Sequence, residues 1–472
     1  MCILKIKIRY FVCYDKKRKH DDLNKYDDHQ IFLRALPKII QRVDCFKVLY
    51  SPKEFRNELL HAIYRACDHI VLVTLYLDDD QGGKEIIDAL LQVERLRPQI
   101  KIRILVDWHR ARRGRIGGVS KKYTNIDWYV DIVKQYPYSD IAIHGIPINI
   151  NEALGVVHFK GFIIDDQVLY SGANLSNEYL HVHTKYRYDR YHVIRNQKLS
   201  DIMLNYIDKE LLSSKVTNNL GYGDSLKKLS KSRNNIRLLR RNLRRACYCY
   251  QGNATFHELS ITPLVGLGKN SDLNKTIYHL IYSAQNKVVL CTPYFNMPTV
   301  LIRALVFLLR RGIKIEIIVG DKIANDFYVP EHHPFTLISV LPYLYELNLR
   351  YFLKKLQKYV DNKQLLVRMW REGNNGYHVK GIWVDDEWQL ITGNNLNPRS
   401  VRFDLENALL VHDPCKFLFH QQYKELNMIR MHTNHVMHYT SLQHISDYPT
   451  RVGQLLYRIH KVRFDRLINH IL

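Results

Sequence analysis

The sequence predicts an α/β protein of two tandem domains, related by a pseudo-two-fold duplication and sharing one active site. Three observations carry that prediction. A strand–helix–strand pattern occurs in each half, a His-x-Lys segment occurs in each half, and corresponding positions are separated by a nearly constant interval.

In the first half the apolar run IVLVTLY at 70–76 ends in Thr-x-Tyr. The helical stretch KEIIDALLQVERLRP follows, then the strand-like KIRILVD at 101–107. The second half repeats the order with VVLCTPY at 288–294, TVLIRALVFLLRRG, and KIEIIVGD at 314–321. Strand, helix and strand at this spacing form a βαβ unit, hence parallel strands covered by helices. Further on, VHFKGFIIDDQVLYSGANLS at 157–176 is matched by YHVKGIWVDDEWQLITGNNLN at 377–397. The offsets are 218 for Thr-x-Tyr, 214 for Asp, 220 for His and 221 for Gly-x-Asn, so the chain is a duplication. The expected layout is an N-terminal extension at 1–30, domains at 31–210 and 256–430, a basic linker with a helix at 211–255, and a basic C-terminal segment at 431–472. PLVGLGKNS at 263–271 lacks the spacing of a phosphate loop and is set aside.

Composition bounds the function. With 472 residues, 46% hydrophobic and 25% charged, the chain can bury two cores, and its apolar runs are too short to span a bilayer. The N-terminus interrupts its apolar residues with Lys5, Lys7 and Arg9, unlike a signal peptide. The 8 cysteines include no CxxC pair and the 23 histidines no HExxH, so reduced thiols and no metal site are expected. A net charge of +24 calls for polyanions: nucleic acid, an anionic membrane or a phosphorylated substrate.

Alternation along a strand places His158 and Lys160 on one face, with Asp165 at the hairpin turn and Gly172 and Asn174 on the returning strand. His378, Lys380, Asp385, Gly393 and Asn395 repeat the set. Two such hairpins facing each other supply two imidazoles, two ammonium groups and two carboxamides, with glycines allowing close approach. Lys and Asn suit the oxygens of a phosphoryl group, while one histidine attacks phosphorus and the other protonates the leaving group. Asp165 and Asp385 are expected to fix the turns. A nucleophilic imidazole needs an acceptor on its other nitrogen. Asp189 is expected to hold His158, and Glu406 to hold His378.

HFKGFIID with GAN and HVKGIWVD with GNN match the doubled HxKxxxxD signature, and the chain resembles the phospholipase D superfamily. Further segments, among them VDWHRARRGRIGG, KYRYDRYH, GDKIANDFY and ITGNNLNPRSVRFDLENA, are similar to the phosphatidylserine synthase family of Gram-negative bacteria, from about residue 32 to 472. The resemblance implies two tandem phospholipase D-like α/β sandwich domains and metal-free, ping-pong transfer of a phosphatidyl group from CDP-diacylglycerol to L-serine, with release of CMP. His158 is favoured as the residue phosphatidylated, and Arg110, Arg112, Arg113 and Arg115 are candidates for the diphosphate. Other chemistries of the superfamily (a phospholipase, a cardiolipin synthase, an endonuclease) and a nucleic-acid-binding scaffold are the rival readings; nucleic acid is not required by the leading one. A lipid donor implies a peripheral enzyme on the anionic inner face of the cytoplasmic membrane. Val452, Leu455, Leu456, Ile459, Val462, Leu467 and Ile471 mark an amphipathic C-terminal helix that either meets lipid or packs on the body. In 337–353 a buried helix is expected. The oligomeric state is left open.

Overall fold

The structure, a computed structural model, describes residues 24–113, 123–222, 232–330 and 333–461. Residues 1–23, Arg115, residues 223–231 of the polar linker and residues 462–472, with Val462, Leu467 and Ile471, lie outside that description, as do the side chains of 24–27 and 459–461.

Each half is built on one mixed sheet. In the first, the strands run Asn218–Asn219, Ala142–Ile146, Lys101–Asp107, His69–Val73, Gly161–Ile164, Gln167–Ser171, Tyr191–Arg195 and Phe46–Leu49. In the second, Leu365–Trp370, Lys314–Gly320, Lys287–Thr292, Gly381–Val384, Trp388–Thr392, Leu405–His412 and Ser260–Leu267 take the corresponding places from Ala142–Ile146 onward. The duplication is therefore a duplication of topology. The βαβ units form as expected, with Ile70 beside Ile102 and Val288 beside Ile315 in parallel register. The helix Gln81–Leu96 starts where the Asp80 carboxylate accepts the Gly83 N–H, and buries Ile86, Ile87, Leu90 and Val93 at helical spacing. Thr299–Arg310 buries Leu301, Ala304, Leu305 and Leu308 in the same way.

The two His-x-Lys hairpins differ by one turn residue. Ile164 pairs with Gln167 across two residues, whereas Val384 pairs with Trp388 across three. This insertion is why the offset rises from 220 at the histidines to 221 at the glycines. Asp165 and Asp385 take left-handed backbone angles, φ 51 and φ 55. Their carboxylates cap the start of the neighbouring strand: Asp165 accepts the N–H groups of Cys67, Asp68 and His69, and Asp385 those of Gln285, Asn286 and Lys287.

Two segments cross the expected boundaries, and the linker helix joins the body. Helix Asn24–Ala35 packs on Asp272–Tyr282 of the second half, with Leu33 in that half's core, and Ile39 pairs with Ile261. Residues 218–219, assigned to the linker by their polar character, instead extend the first sheet against Gly145 and His144. The linker helix Arg233–Leu243 buries Ile236, Leu239 and Leu243, so its apolar face covers the body while its arginines ring it.

The halves share a core: Ile391, Leu405, Leu409 and Val411 of the second belong to the cluster centred on the first. The C-terminal helix Thr450–Lys461 packs Val452 and Leu456 against Leu341, Tyr343 and Leu344. Those two residues are thus held by protein, so at their positions the second of the two expected outcomes, packing on the body, is the one found. Helix Leu341–Asp361 is buried along Leu349, Phe352 and Leu353, as expected. Among the described residues no helix is long and apolar enough to cross a membrane.

Candidate active site

The site forms where each half lends a short extended segment to the other. Arg187–Tyr188 runs parallel to Gly376–Tyr377, and Val157 pairs in parallel with Leu405. The His378 N–H donates to Tyr188 O at 2.8 Å and the His158 N–H to Leu405 O at 2.9 Å. Each histidine is therefore placed by the residue just before a carboxylate of the opposite half.

That exchange corrects the expected partners. Glu406 Oε2 lies 2.9 Å from His158 Nδ1, and Asp189 Oδ2 lies 2.9 Å from His378 Nδ1. Nearness along the sequence suggested pairing within a half; the parallel pairings carry each carboxylate across the interface instead. Both contacts occupy Nδ1 and leave Nε2 turned away from the carboxylate, where on His378 it also meets the Tyr179 hydroxyl at 3.3 Å.

The lysines are wholly buried, Lys160 at 0% and Lys380 at 1% exposure. Lys160 Nζ donates to Asn174 Oδ1 and, at 3.3 Å, to Ala173 O. Lys380 instead donates to Asp189 Oδ2 at 2.9 Å and contacts His378. Asn395 does not repeat the lysine contact of Asn174; its Nδ2 donates to Tyr294 OH at 3.1 Å. The glycines permit the approach of the halves. A Cβ on Gly172 would fall 2.6 Å from Asp189 Oδ2 and 2.8 Å from Lys380 Nζ, and one on Gly393 would fall 2.8 Å from Lys160 Cγ.

Charge is distributed unequally between the dyads. Burial, with Lys160 beside it, lowers His158 to about 3; burial and Lys380 lower His378 to about 4, against the opposing pull of Asp189. Burial raises Glu406 to about 8 in spite of nearby cations. Burial also works on Asp189, but Lys380 and His378 outweigh it and hold that carboxyl at about 2. Burial thus favours the protonated form of the Glu406 carboxyl, whereas Lys380 and His378 favour the ionised form of Asp189. Burial and the second ammonium group bring Lys160 to about 7.

Asp165 and Asp385 stand outside this cluster, at the hairpin turns. The candidate arginines separate. Arg110 lies with its guanidinium 4.5 Å over the Tyr76 ring and counts among the charges acting on Lys160. Arg112 stacks on Trp108 and Arg113 is tied to Glu152 at 2.7 Å, so the structure does not bring them into the cluster. Sequence reasoning missed Tyr179, whose OH lies 3.3 Å from both ring nitrogens of His378, and Thr74 and Thr292, whose hydroxyls bond Asn174 Oδ1 and Asn395 O. The repeated Thr-x-Tyr was the available signal for the threonines; Tyr179 has no repeated counterpart to reveal it.

Two buried dyads and two lysines meet on one domain interface, the arrangement expected of a phosphoryl-transfer site of the phospholipase D kind. A family model described as "Cardiolipin synthase, PLD-like domain" matches residues 59–211 and 277–428. The CDP-diacylglycerol–serine O-phosphatidyltransferase of Escherichia coli K12 is 54% identical over 448 residues, covering 95% of this chain and 99% of the relative. The enzyme of that name from Haemophilus influenzae is 42% identical over 455 residues, covering 95% of this chain and 100% of the relative. The crystal structure of phosphatidylserine synthase from Haemophilus influenzae Rd KW20 superposes with a TM-score of 0.91 at 41% identity, covering 95% of this chain and 100% of that one. The chain belongs to the bacterial CDP-diacylglycerol–serine O-phosphatidyltransferase family, and it is a phosphatidyltransferase.

Proposed function

We propose that the protein transfers the phosphatidyl group of CDP-diacylglycerol to the hydroxyl of L-serine through a phosphatidyl-histidine intermediate. The observation that carries this reading is the crossed pair of dyads, His158–Glu406 and His378–Asp189, whose carboxyls their surroundings shift in opposite directions. That asymmetry favours His378 as the attacking imidazole, in place of the histidine preferred from sequence. With Nδ1 protonated toward the Asp189 carboxylate, Nε2 carries the lone pair, and the carboxylate stabilises the cation formed on attack. The His378 Nε2–phosphorus bond forms as the bond from phosphorus to the CMP oxygen breaks, and the proton held by the His158 dyad passes to CMP. In the second half-reaction His158 takes the serine hydroxyl proton, the serine oxygen bonds to phosphorus, and the nitrogen–phosphorus bond breaks.

Lys160, Lys380 and Asn174 are suited to the non-bridging oxygens, where a preorganised positive charge in a dry site acts most strongly on the developing negative charge. Arg110 is the candidate for the rest of the diphosphate. A cavity of about 850 Å³ bordered by Asn394, lined by Phe295, Met297, Leu301 and Phe352 and rimmed by Lys269 and Arg402, suits the lipid part of the donor. Peripheral action at the inner face of the cytoplasmic membrane follows from such a donor. The testing experiment supplies purified protein with CDP-diacylglycerol in detergent micelles. CMP release that depends on serine, and that His158→Ala and His378→Ala each abolish, is the expected result; release indifferent to serine overturns the reading.

A further inference from the structure

We propose that Asn407 and Arg190, the residues directly after the two histidine-holding carboxylates, are positioning residues that clamp the His-x-Lys backbone of the opposite half. The inference rests on the two-histidine reading above and extends it to groups that touch no substrate.

Asn407 follows Glu406. Its Oδ1 accepts the Lys160 N–H at 2.7 Å and its Nδ2 donates to Lys160 O at 2.7 Å. Residues 158–160 lie before the strand Gly161–Ile164, and Gly161 sits at φ 131, so the ladder of that sheet does not continue through Lys160. The carboxamide stands in for a neighbouring strand by offering one acceptor and one donor to one peptide. The residue is itself held: Tyr170 OH donates to the side-chain Oδ1 at 3.1 Å and to the backbone O at 2.9 Å, and Thr392 Oγ1 donates to the same backbone O at 3.0 Å.

Arg190 follows Asp189 and does the corresponding work with different chemistry. Its Nη1 donates to Lys380 O at 3.3 Å and to Leu390 O at 3.0 Å, bridging the two strands of the second hairpin. Its Nε and Nη2 are taken by Glu425 at 2.8 Å and 3.1 Å, and the guanidinium lies 4.0 Å over the Trp383 ring. The Arg190 N–H also donates to Asp189 Oδ1 at 2.8 Å. A Cβ at Gly381 would fall 2.1 Å from Arg190 Nη1, so that glycine follows from the arginine's path.

Both side chains are buried, Asn407 at 0% and Arg190 at 3% exposure. In each half the carboxylate sets the imidazole tautomer while its neighbour sets the backbone from which the lysine projects. Carboxylate, imidazole and lysine are thereby locked at one spacing by two adjacent residues. Displacing a reacting group by about 1 Å costs about 100-fold in rate, which is the scale of effect such a clamp controls.

The test compares Asn407→Ala, Arg190→Lys and Leu409→Ala, the last a buried residue of the same strand that makes no clamp contact. Arg190→Lys keeps a cation against Glu425, so it reports on the bridge without leaving a buried charge unpaired. Expected is a fall in kcat of about 10- to 100-fold for Asn407→Ala and Arg190→Lys, with KM for donor and for serine within about twofold of wild type. Leu409→Ala should lose melting temperature yet keep kcat per folded molecule. Wild-type kcat in both clamp variants, or a loss matched by Leu409→Ala at equal melting temperature, overturns the inference. His158→Ala and His378→Ala in the same assay separate the two ideas. If these are dead while the clamp variants are fully active, only the clamp fails; if these are active, the two-histidine reading fails.

Discussion

Glu406 Oε2 sits 2.9 Å from His158 Nδ1 although 248 residues separate them, and Asp189 makes the mirror contact to His378 across 189 residues. Neither half carries a finished dyad of its own. The halves must be docked before either imidazole has its acceptor, which makes the interface part of the chemistry.

Burial raises Glu406 while Lys380 and His378 lower Asp189, so isosteric removal of each carboxylate should differ in effect. Asp189→Asn replaces an ionised acceptor and should lower kcat by about 1,000-fold or more, as expected when an imidazole loses the carboxylate that sets its tautomer. Glu406→Gln replaces a group that burial keeps protonated, and its loss should be clearly smaller. Steady-state CMP release in the two variants checks this; equal losses contradict the charge asymmetry.

The same asymmetry has a signature in stability. Glu406 titrates at about 8 in the folded protein against an ordinary 4.5, so the folded state holds its proton longer than the unfolded chain. Its contribution is fully present below about 4.5 and is lost as pH rises through about 8. Melting curves from pH 5 to 9 should show Glu406→Gln gaining on wild type as pH rises. A constant difference would show that the carboxyl is not raised. Asp189 behaves oppositely: held at about 2 rather than 3.8, its contribution is present above about 3.8 and is lost as pH falls through about 2.

Gly172→Ala should be nearly inactive, because its Cβ meets the Asp189 carboxylate and the Lys380 ammonium where each is already held by the other. Gly393→Ala meets the Lys160 stem at 2.8 Å, which can give way, and should keep more activity. Kinetics of the two purified variants, with melting temperatures measured alongside, test the ranking.

Asp165→Ala and Asp385→Ala should lower stability without touching the chemistry. Each removes an acceptor from three backbone N–H groups, at a cost of about 1–3 kcal/mol. The check is kcat per folded molecule, which should stay within about twofold of wild type, as for substitutions outside the reacting cluster. A large loss would place these carboxylates in catalysis.

Much of this was readable in the chain. The repeated strand–helix–strand order and the paired HFKGFIID and HVKGIWVD predicted the sheets and the two hairpins because period-two alternation and turn residues act locally. What escaped was everything decided by docking. Asp189 was matched to His158 because it follows it in sequence, yet the pairing of Arg187–Tyr188 with Gly376–Tyr377 is a contact between halves that no local pattern encodes. Burial of Glu406 and Asp189 is equally a property of the assembled interface, so their opposite charge states could not be read beforehand. Val452 and Leu456 show the converse: an amphipathic pattern tells that a face is covered, not by what.

The most direct test is to quench the wild-type protein after mixing with CDP-diacylglycerol radiolabelled in the phosphatidyl phosphorus, in the absence of serine, and to map the label. The account predicts acid-labile label on the peptide carrying His378, discharged into phosphatidylserine when serine is added. Label on the His158 peptide, or on no histidine at all, would contradict it.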